Sequence, residues 1–332
     1  MNRPLLSFLS LNVVLFIGQV QAGEAKCAEE SARKMINNSL AYIQERGESW
    51  RKARYCHSCH RTTFTIWALN RASEKGFDVN SEQLKTWNER GRKWESFTRG
   101  EKLEEMNAAK VLRGENSAVG QMLLGKPQAE QKREWIKLFR TRLIEGQGKA
   151  GSWKAGGQLS KQKRPGRETT ETNTMWAILA LKDYDKSDPR ADEAVQKAMK
   201  WMGSKTQSIS TEWWVTRLLV ERDLGNNSQA DELYKTLLAK QNRDGGWGWL
   251  TADKSDAFGT GLVLYALAKE GVSIQDQTVA KAIKFLENSQ KKDGAWEVNG
   301  TKEQDRDEPA ETAKYWGTPW AVIGLLEFLE DA

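Results

Sequence analysis

A chain of 332 residues, 39% of them hydrophobic, can bury one large core or two small ones. Its formal charge of +6 is the small excess of 51 Lys and Arg over 45 Asp and Glu, interspersed without a long basic run. That pattern describes a solvated surface and excludes a nucleic-acid footprint.

The N-terminus reads MNRPLLSFLSLNVVLFIGQVQAGEA. Arg3 forms a short positive n-region, Leu5 to Ile17 an apolar h-region, and Val20-Gln21-Ala22 a small-residue cleavage site. The expectation is a signal peptide over 1–22 and one mature domain over 23–332, exported and either periplasmic or secreted. A retained anchor is the alternative, but the apolar stretch is short against the roughly 20 residues a span needs. No later segment is apolar enough to cross a bilayer.

An amphipathic helix over 30–46 leads to Tyr55-Cys56-His57-Ser58-Cys59-His60, which contains the Cys-x-x-Cys-His pattern of c-type haem attachment. Cys56 and Cys59 would each bond a haem vinyl group, with His60 as the proximal iron ligand. Both histidines of the chain lie in this segment. Met106, Met122 and Met175 are candidates for the sixth ligand, and core packing is the competing role for each. Two further readings stay open. One is a Cys56–Cys59 disulfide or bare thiols in an oxidising compartment. The other is zinc held by Cys56, Cys59 and His60 with His57 or Cys27.

Downstream, two patterns recur. Thr62 to Leu69, Thr174 to Leu181, Thr260 to Leu267 and Thr318 to Leu325 share an apolar frame with a small residue before the final Leu. Glu212 to Leu219 keeps the frame with Glu in the place of Thr, and Ser117 to Leu124 is a weaker copy. Between them lie more polar amphipathic helices over about 80–96, 129–146, 190–203, 228–241 and 276–290. The other pattern is a turn in which Gln precedes Trp by six positions and Gly precedes it by two: Gln147/Gly151/Trp153, Gln241/Gly245/Trp247 and Gln290/Gly294/Trp296. Gly accepts the positive φ that stops a helix. Apolar inner helices walled by polar outer ones predict an all-α, α/α toroid of about six helical hairpins.

These turns resemble the QW repeats of squalene–hopene and oxidosqualene cyclases, and Gln241-Asn242-Arg243-Asp244-Gly245-Gly246-Trp247-Gly248 matches best. The inner helices are similar to those of the same superfamily, which includes protein prenyltransferase β subunits. The resemblance implies structural roles for Gln241/Trp247 and Gln290/Trp296, and by extension for Gln147/Trp153, whose turn lacks the Asp. It does not carry chemistry. The DxDD motif of the triterpene cyclases is absent, and Asp183-Tyr184-Asp185 is followed by Lys186. No Cys or His follows His60, so the prenyltransferase zinc site is absent too.

Carboxylates just ahead of the inner helices, Glu168, Glu171, Asp253, Asp256, Glu308 and Glu311, are expected on one rim of the central cavity. Glu171, Asp256 and Glu311 are the catalytic candidates; helix capping is the competing role. Of fifteen tryptophans, Trp67, Trp176, Trp213, Trp316 and Trp320 lie on inner helices. The main functional expectation is an exported toroid with one covalent haem at the cavity rim, exchanging electrons with a redox partner. The alternatives are a haem-free cyclase-like or carbohydrate-active (lyase-like) enzyme, or a non-catalytic protein binding an apolar or carbohydrate ligand in the cavity. A polar, basic cavity favours the carbohydrate; an apolar one favours a lipid.

Overall fold

The computed structural model describes residues 8–53, 59–97, 117–130, 134–155, 161–183, 188–203, 207–305 and 308–331, with side chains from residue 26 onward except at 59, 60 and 305. Twelve helices run through them as six outer–inner pairs. The outer helices are α1 (Phe8–Ala53), α3 (Ser81–Gly91), α5 (Glu134–Glu145), α7 (Pro189–Met202), α9 (Asn227–Leu238) and α11 (Gln277–Ser289). The inner ones are α2 (Phe64–Glu74), α4 (117–124), α6 (Gly166–Lys182), α8 (Thr211–Asp223), α10 (Ala257–Lys269) and α12 (Glu311–Leu326). The fold is an all-α toroid, as the repeat predicts. One element differs from expectation: α1 is a single 46-residue helix that begins in the apolar N-terminal stretch. Among the described residues, no helix is long and apolar enough to cross a membrane.

The layer order follows from the sequence of each helix. In α10 every residue from Ala257 to Leu267 is buried, because helices flank it on both sides and an outer helix covers its back. In α11 only Val279, Ala282, Ile283 and Leu286 are buried, one stripe at helical spacing. The inner helices pack α6 on α8, α8 on α10, α10 on α12 and α12 on α2. Across α2 and α4, Asn70 donates to the Gly125 carbonyl at 2.8 Å.

The Gln-Gly-Trp turn couples one hairpin to the next. The indole Nε1 of Trp153, Trp247 and Trp296 donates to the carbonyls of Leu143, Leu237 and Leu286 at 2.6, 3.0 and 2.8 Å, in the last turn of the preceding outer helix. Their backbone N–H groups donate to the hydroxyls of Thr174, Thr260 and Thr318 at 3.1, 3.0 and 3.1 Å. The threonine ladder is therefore the inner-helix half of this clamp. The Gln amide reaches outward. Gln147 Nε2 bridges Gly151 and Ala194 of α7, Gln241 Nε2 bridges Gly245 and Thr278 of α11, and Gln290 Nε2 bridges Gly294 and Met35 of α1.

The last bridge closes the ring. Gln290, from the sixth outer helix, bonds to the first, and Ser39 Oγ of α1 donates to the Gly294 carbonyl at 2.7 Å. Gly294 has φ +80°, and a Cβ there would stand 1.9 Å from the Asn38 carbonyl oxygen. Both the left-handed backbone and the contact with α1 exclude a side chain.

Gly294→Ala should therefore destabilise the fold by about 3 kcal/mol or more, since strain and overpacking act together. Gly271 has φ +75° but open space around it, so Gly271→Ala should cost only about 1 kcal/mol. Urea unfolding of the two variants measures the difference. Equal losses would mean that the Gly294 contact does not hold the ring closed.

Candidate functional site in the central cavity

A pocket open to solvent lies on the toroid axis, and all six inner helices contribute to its wall. Phe64 comes from α2, Ser117 and Gln121 from α4, Thr172, Asn173 and Trp176 from α6, Glu212 from α8, Phe258 from α10 and Trp316 from α12. The loop before α6 adds Gln162 and Arg164. A second pocket adjoins it, sharing Gln162 and Trp316, and is lined by Arg61, residues 300–302 and residues 310–313.

The axis beneath is closed by aromatic packing. Trp320 is the hub, with ring centroids 5.4 Å from Trp67, 5.5 Å from Trp176, 5.4 Å from Phe64 and 5.8 Å from Tyr265. Of the five inner-helix tryptophans, Trp176 and Trp316 face the cavities. Trp67, Trp213 and Trp320 are buried in the core.

Polar groups line the axial pocket beside Trp176. Arg164 pairs with Glu212 at 2.8 Å, with side-chain exposures of 3% and 15%. The other Glu212 oxygen accepts Trp176 Nε1 at 2.9 Å. Arg164 also donates to Ser210 Oγ at 3.1 Å and lies over the Trp249 ring. Thr63 donates to Gln121 Oε1 at 2.7 Å, and Asn173 to the Trp153 carbonyl at 2.9 Å. The aromatic faces and these fixed amide and charged groups thus meet in one space.

Most of the rim carboxylates read from the sequence are engaged structurally. Asp256 caps α10, accepting Gly259 N at 2.7 Å on one oxygen and Trp249 N at 2.8 Å on the other. Glu171 accepts Trp213 Nε1 at 3.0 Å and Arg167 Nε at 2.9 Å. Glu168 accepts both the N–H and the hydroxyl of Ser210, and Asp253 pairs with Lys163 at 2.8 Å. Of the three catalytic candidates, Glu311 lies on a cavity wall, where it accepts Tyr315 OH at 3.2 Å.

Glu212, Arg164, Gln162 and Gln121 went unnoticed as site residues. Glu212 carried a signal, because it stands where α6, α10 and α12 have the clamping Thr. Gln162 and Arg164 sit in a Lys- and Gln-rich stretch that reads as a solvated loop. Its burial comes from distant pairing, with Lys163 N donating to the Thr301 carbonyl at 3.0 Å.

Cys56, His57 and Ser58 of the Cys-x-x-Cys-His segment lie outside the described residues, as does Met106, and Cys59 and His60 are described in backbone only. They open a π-helical turn, Cys59–Thr63, that leads into α2. Arg61 of that turn stacks on Trp50 near the end of α1 at 4.4 Å. At about 1.5 Å of rise per residue, exposed Cys27 sits roughly 34 Å back along α1 from Trp50. Met122 and Met175 are buried in the core. Among the described residues, no group of three or more His, Cys, Asp or Glu is placed to hold a metal ion.

Comparison with known proteins supports the same architecture. The family model of the squalene-hopene cyclase C-terminal domain matches residues 224–330, which hold the last two hairpins and two of the three Gln-Gly-Trp turns. This C-terminal third of the α/α toroid is thus similar to the squalene cyclases. No curated protein sequence matches it. Among solved structures, it resembles a glycosyl hydrolase family 88 protein from Bacteroides vulgatus at 9% identity and TM-score 0.42, covering 90% of this chain and 99% of that one. It also resembles a possible GH105 family member from Salmonella enterica at 14% identity and TM-score 0.36, covering 91% and 82%. A possible GH105 member from Klebsiella pneumoniae has 14% identity and TM-score 0.34, with 93% and 81% covered. Scores this low carry neither function nor substrate to this chain.

Burial pushes the Asp256 carboxyl up to about 6, against the hydrogen bonds from Gly259, Trp249 and Phe258 that favour its ionised form. A carboxyl whose pKa rises on folding binds more protons folded than unfolded, so its contribution to stability falls as pH rises from about 4 to about 6. Asn keeps the cap without titrating. Across that window the stability of the native chain should fall relative to Asp256→Asn by up to about 3 kcal/mol. Denaturant midpoints of both proteins at several pH values test this; a constant difference would refute it.

Proposed function

We propose that this chain is a carbohydrate-active protein whose central cavity takes a saccharide. One observation carries the reading: the axial cavity sets aromatic faces against a buried Arg164–Glu212 pair and a row of amides. A wholly apolar ligand would strip water from Arg164, Glu212, Gln121 and Asn173 without offering them partners, which is costly. A sugar ring presents a C–H face to Trp176, Phe258 and Trp316 and hydroxyls to the amides and carboxylates.

In this reading Glu212 is a hydroxyl acceptor, because Arg164 and Trp176 hold both of its oxygens in place. Glu311 is the group placed to move a proton. It is solvent-exposed at the second cavity and has Tyr315 as its hydrogen-bonding neighbour. Titration of the protein with a panel of neutral and acidic oligosaccharides, followed by calorimetry, tests the assignment. Glu212→Gln should weaken binding about tenfold or more, the scale of one charged hydrogen bond. Glu311→Gln should retain binding and lose product release measured by sugar end-group assay. Affinity for long-chain isoprenoids with none for saccharides would overturn the reading.

A second reading keeps one haem c on Cys56 and Cys59 in an exported protein. It is favoured by the position of Arg61, directly after His60, on a cavity wall. Two thiols and an imidazole at this spacing suit covalent haem, which would supply one-electron transfer. Protein secreted with a c-type maturation system should begin near Gly23 and carry one haem mass on the peptide from Tyr55 to Arg61. Cys56→Ala with Cys59→Ala should remove it. Fully matured protein without haem absorbance would exclude this reading.

A further inference from the structure

Arg61 lies at the second cavity with its guanidinium between two rings, 4.4 Å from the Trp50 centroid and 4.0 Å from that of Tyr315. Stacking on the two rings holds it. Among the described residues no carboxylate pairs with it, and its buried Nε has no hydrogen-bond partner there. The arginines nearby behave differently: Arg164 is neutralised by Glu212 and Arg167 by Glu171. A guanidinium held on both faces keeps its edge donors in one plane, already oriented for an oxyanion. Lys302 and Glu311 line the same cavity.

Gln162 points to the same space independently. It is 7% exposed and lines both cavities, yet its Oε1 is buried without a partner among the described residues. Its Nε2 has only a long 3.5 Å contact to Thr301 Oγ1. A buried amide oxygen left open is costly unless a ligand completes it.

We propose that the second cavity is an oxyanion subsite, in which Arg61 binds a carboxylate or sulfate carried by the saccharide and Gln162 accepts a hydroxyl of the same sugar unit. The neutral part of the ligand then continues past Trp316 into the axial cavity. This inference rests on the carbohydrate reading of that cavity and names the class of sugar it selects.

The test is calorimetric titration with glucose, glucuronate, glucose 6-sulfate and inorganic sulfate. The native protein should bind at least one of the two acidic sugars about tenfold or more tighter than glucose, and which one is preferred separates carboxylate from sulfate. Arg61→Gln should erase the preference while leaving glucose affinity within about twofold. Gln162→Leu should weaken all three sugars and spare inorganic sulfate. If Arg61→Gln does not fold, salt dependence in the native protein replaces it: the acidic sugar should lose affinity between low and high salt and glucose should not. Equal affinity for acidic and neutral sugars, or a preference that survives Arg61→Gln, overturns the subsite. Binding of inorganic sulfate through Arg61 with no binding of any sugar would retain the anion site and refute the carbohydrate reading.

Discussion

The closed ring depends on one repeated constraint, the glycine-tightened turn that ties three helices at a time. Its Trp bonds to the outer helix it leaves, its backbone meets the Thr of the inner helix it enters, and its Gln binds the outer helix beyond. The bonds are all to backbone or hydroxyl groups of three neighbouring helices, so the turn fixes their relative positions. The geometry propagates because the turn fixes both distance and angle between neighbouring hairpins. At Gln290 and Gly294 the same unit meets α1, and an array that could have grown as an open solenoid becomes a toroid.

Closure creates the functional space. Six apolar helices around an axis must fill it or leave it open, and here Trp320 and its aromatic neighbours fill one end. The other end is left to polar side chains whose hydrogen bonds are made to each other, as in the Arg164–Glu212 pair. An ion pair at that depth is costly to bury for stability alone. Its place where all six inner helices converge is the observation behind the proposal of a polar ligand.

The repeat also explains where function departs from scaffold. Thr174, Thr260 and Thr318 face the preceding Trp turn and are occupied by it. At the equivalent position of α8 the residue is Glu212, which turns to Arg164 and the axis. The N-terminal part of the ring shows a similar divergence, with Arg61 held by aromatic stacking at the point where the chain passes from the longest outer helix into the first inner one.

Much of the fold was legible in the sequence, because helical periodicity, Gly at the turn and Trp at fixed spacing are local signals. They placed the six inner segments and their outer partners, and they named the Gln-Gly-Trp residues that join them. The capping roles of Asp256 and Glu171 could be weighed against catalysis but not separated from it, since a carboxylate before a helix serves either purpose. The cavity was not legible. Gln162 and Arg164 belong to a stretch that looks solvated until Thr301, distant in sequence, pairs with it, and Glu212 becomes a site residue only when α8 turns it toward them. Sequence determined what each helix buries, through short-range periodicity. Tertiary structure alone decided which polar groups share the axis, because ring closure brings together residues that no local pattern relates.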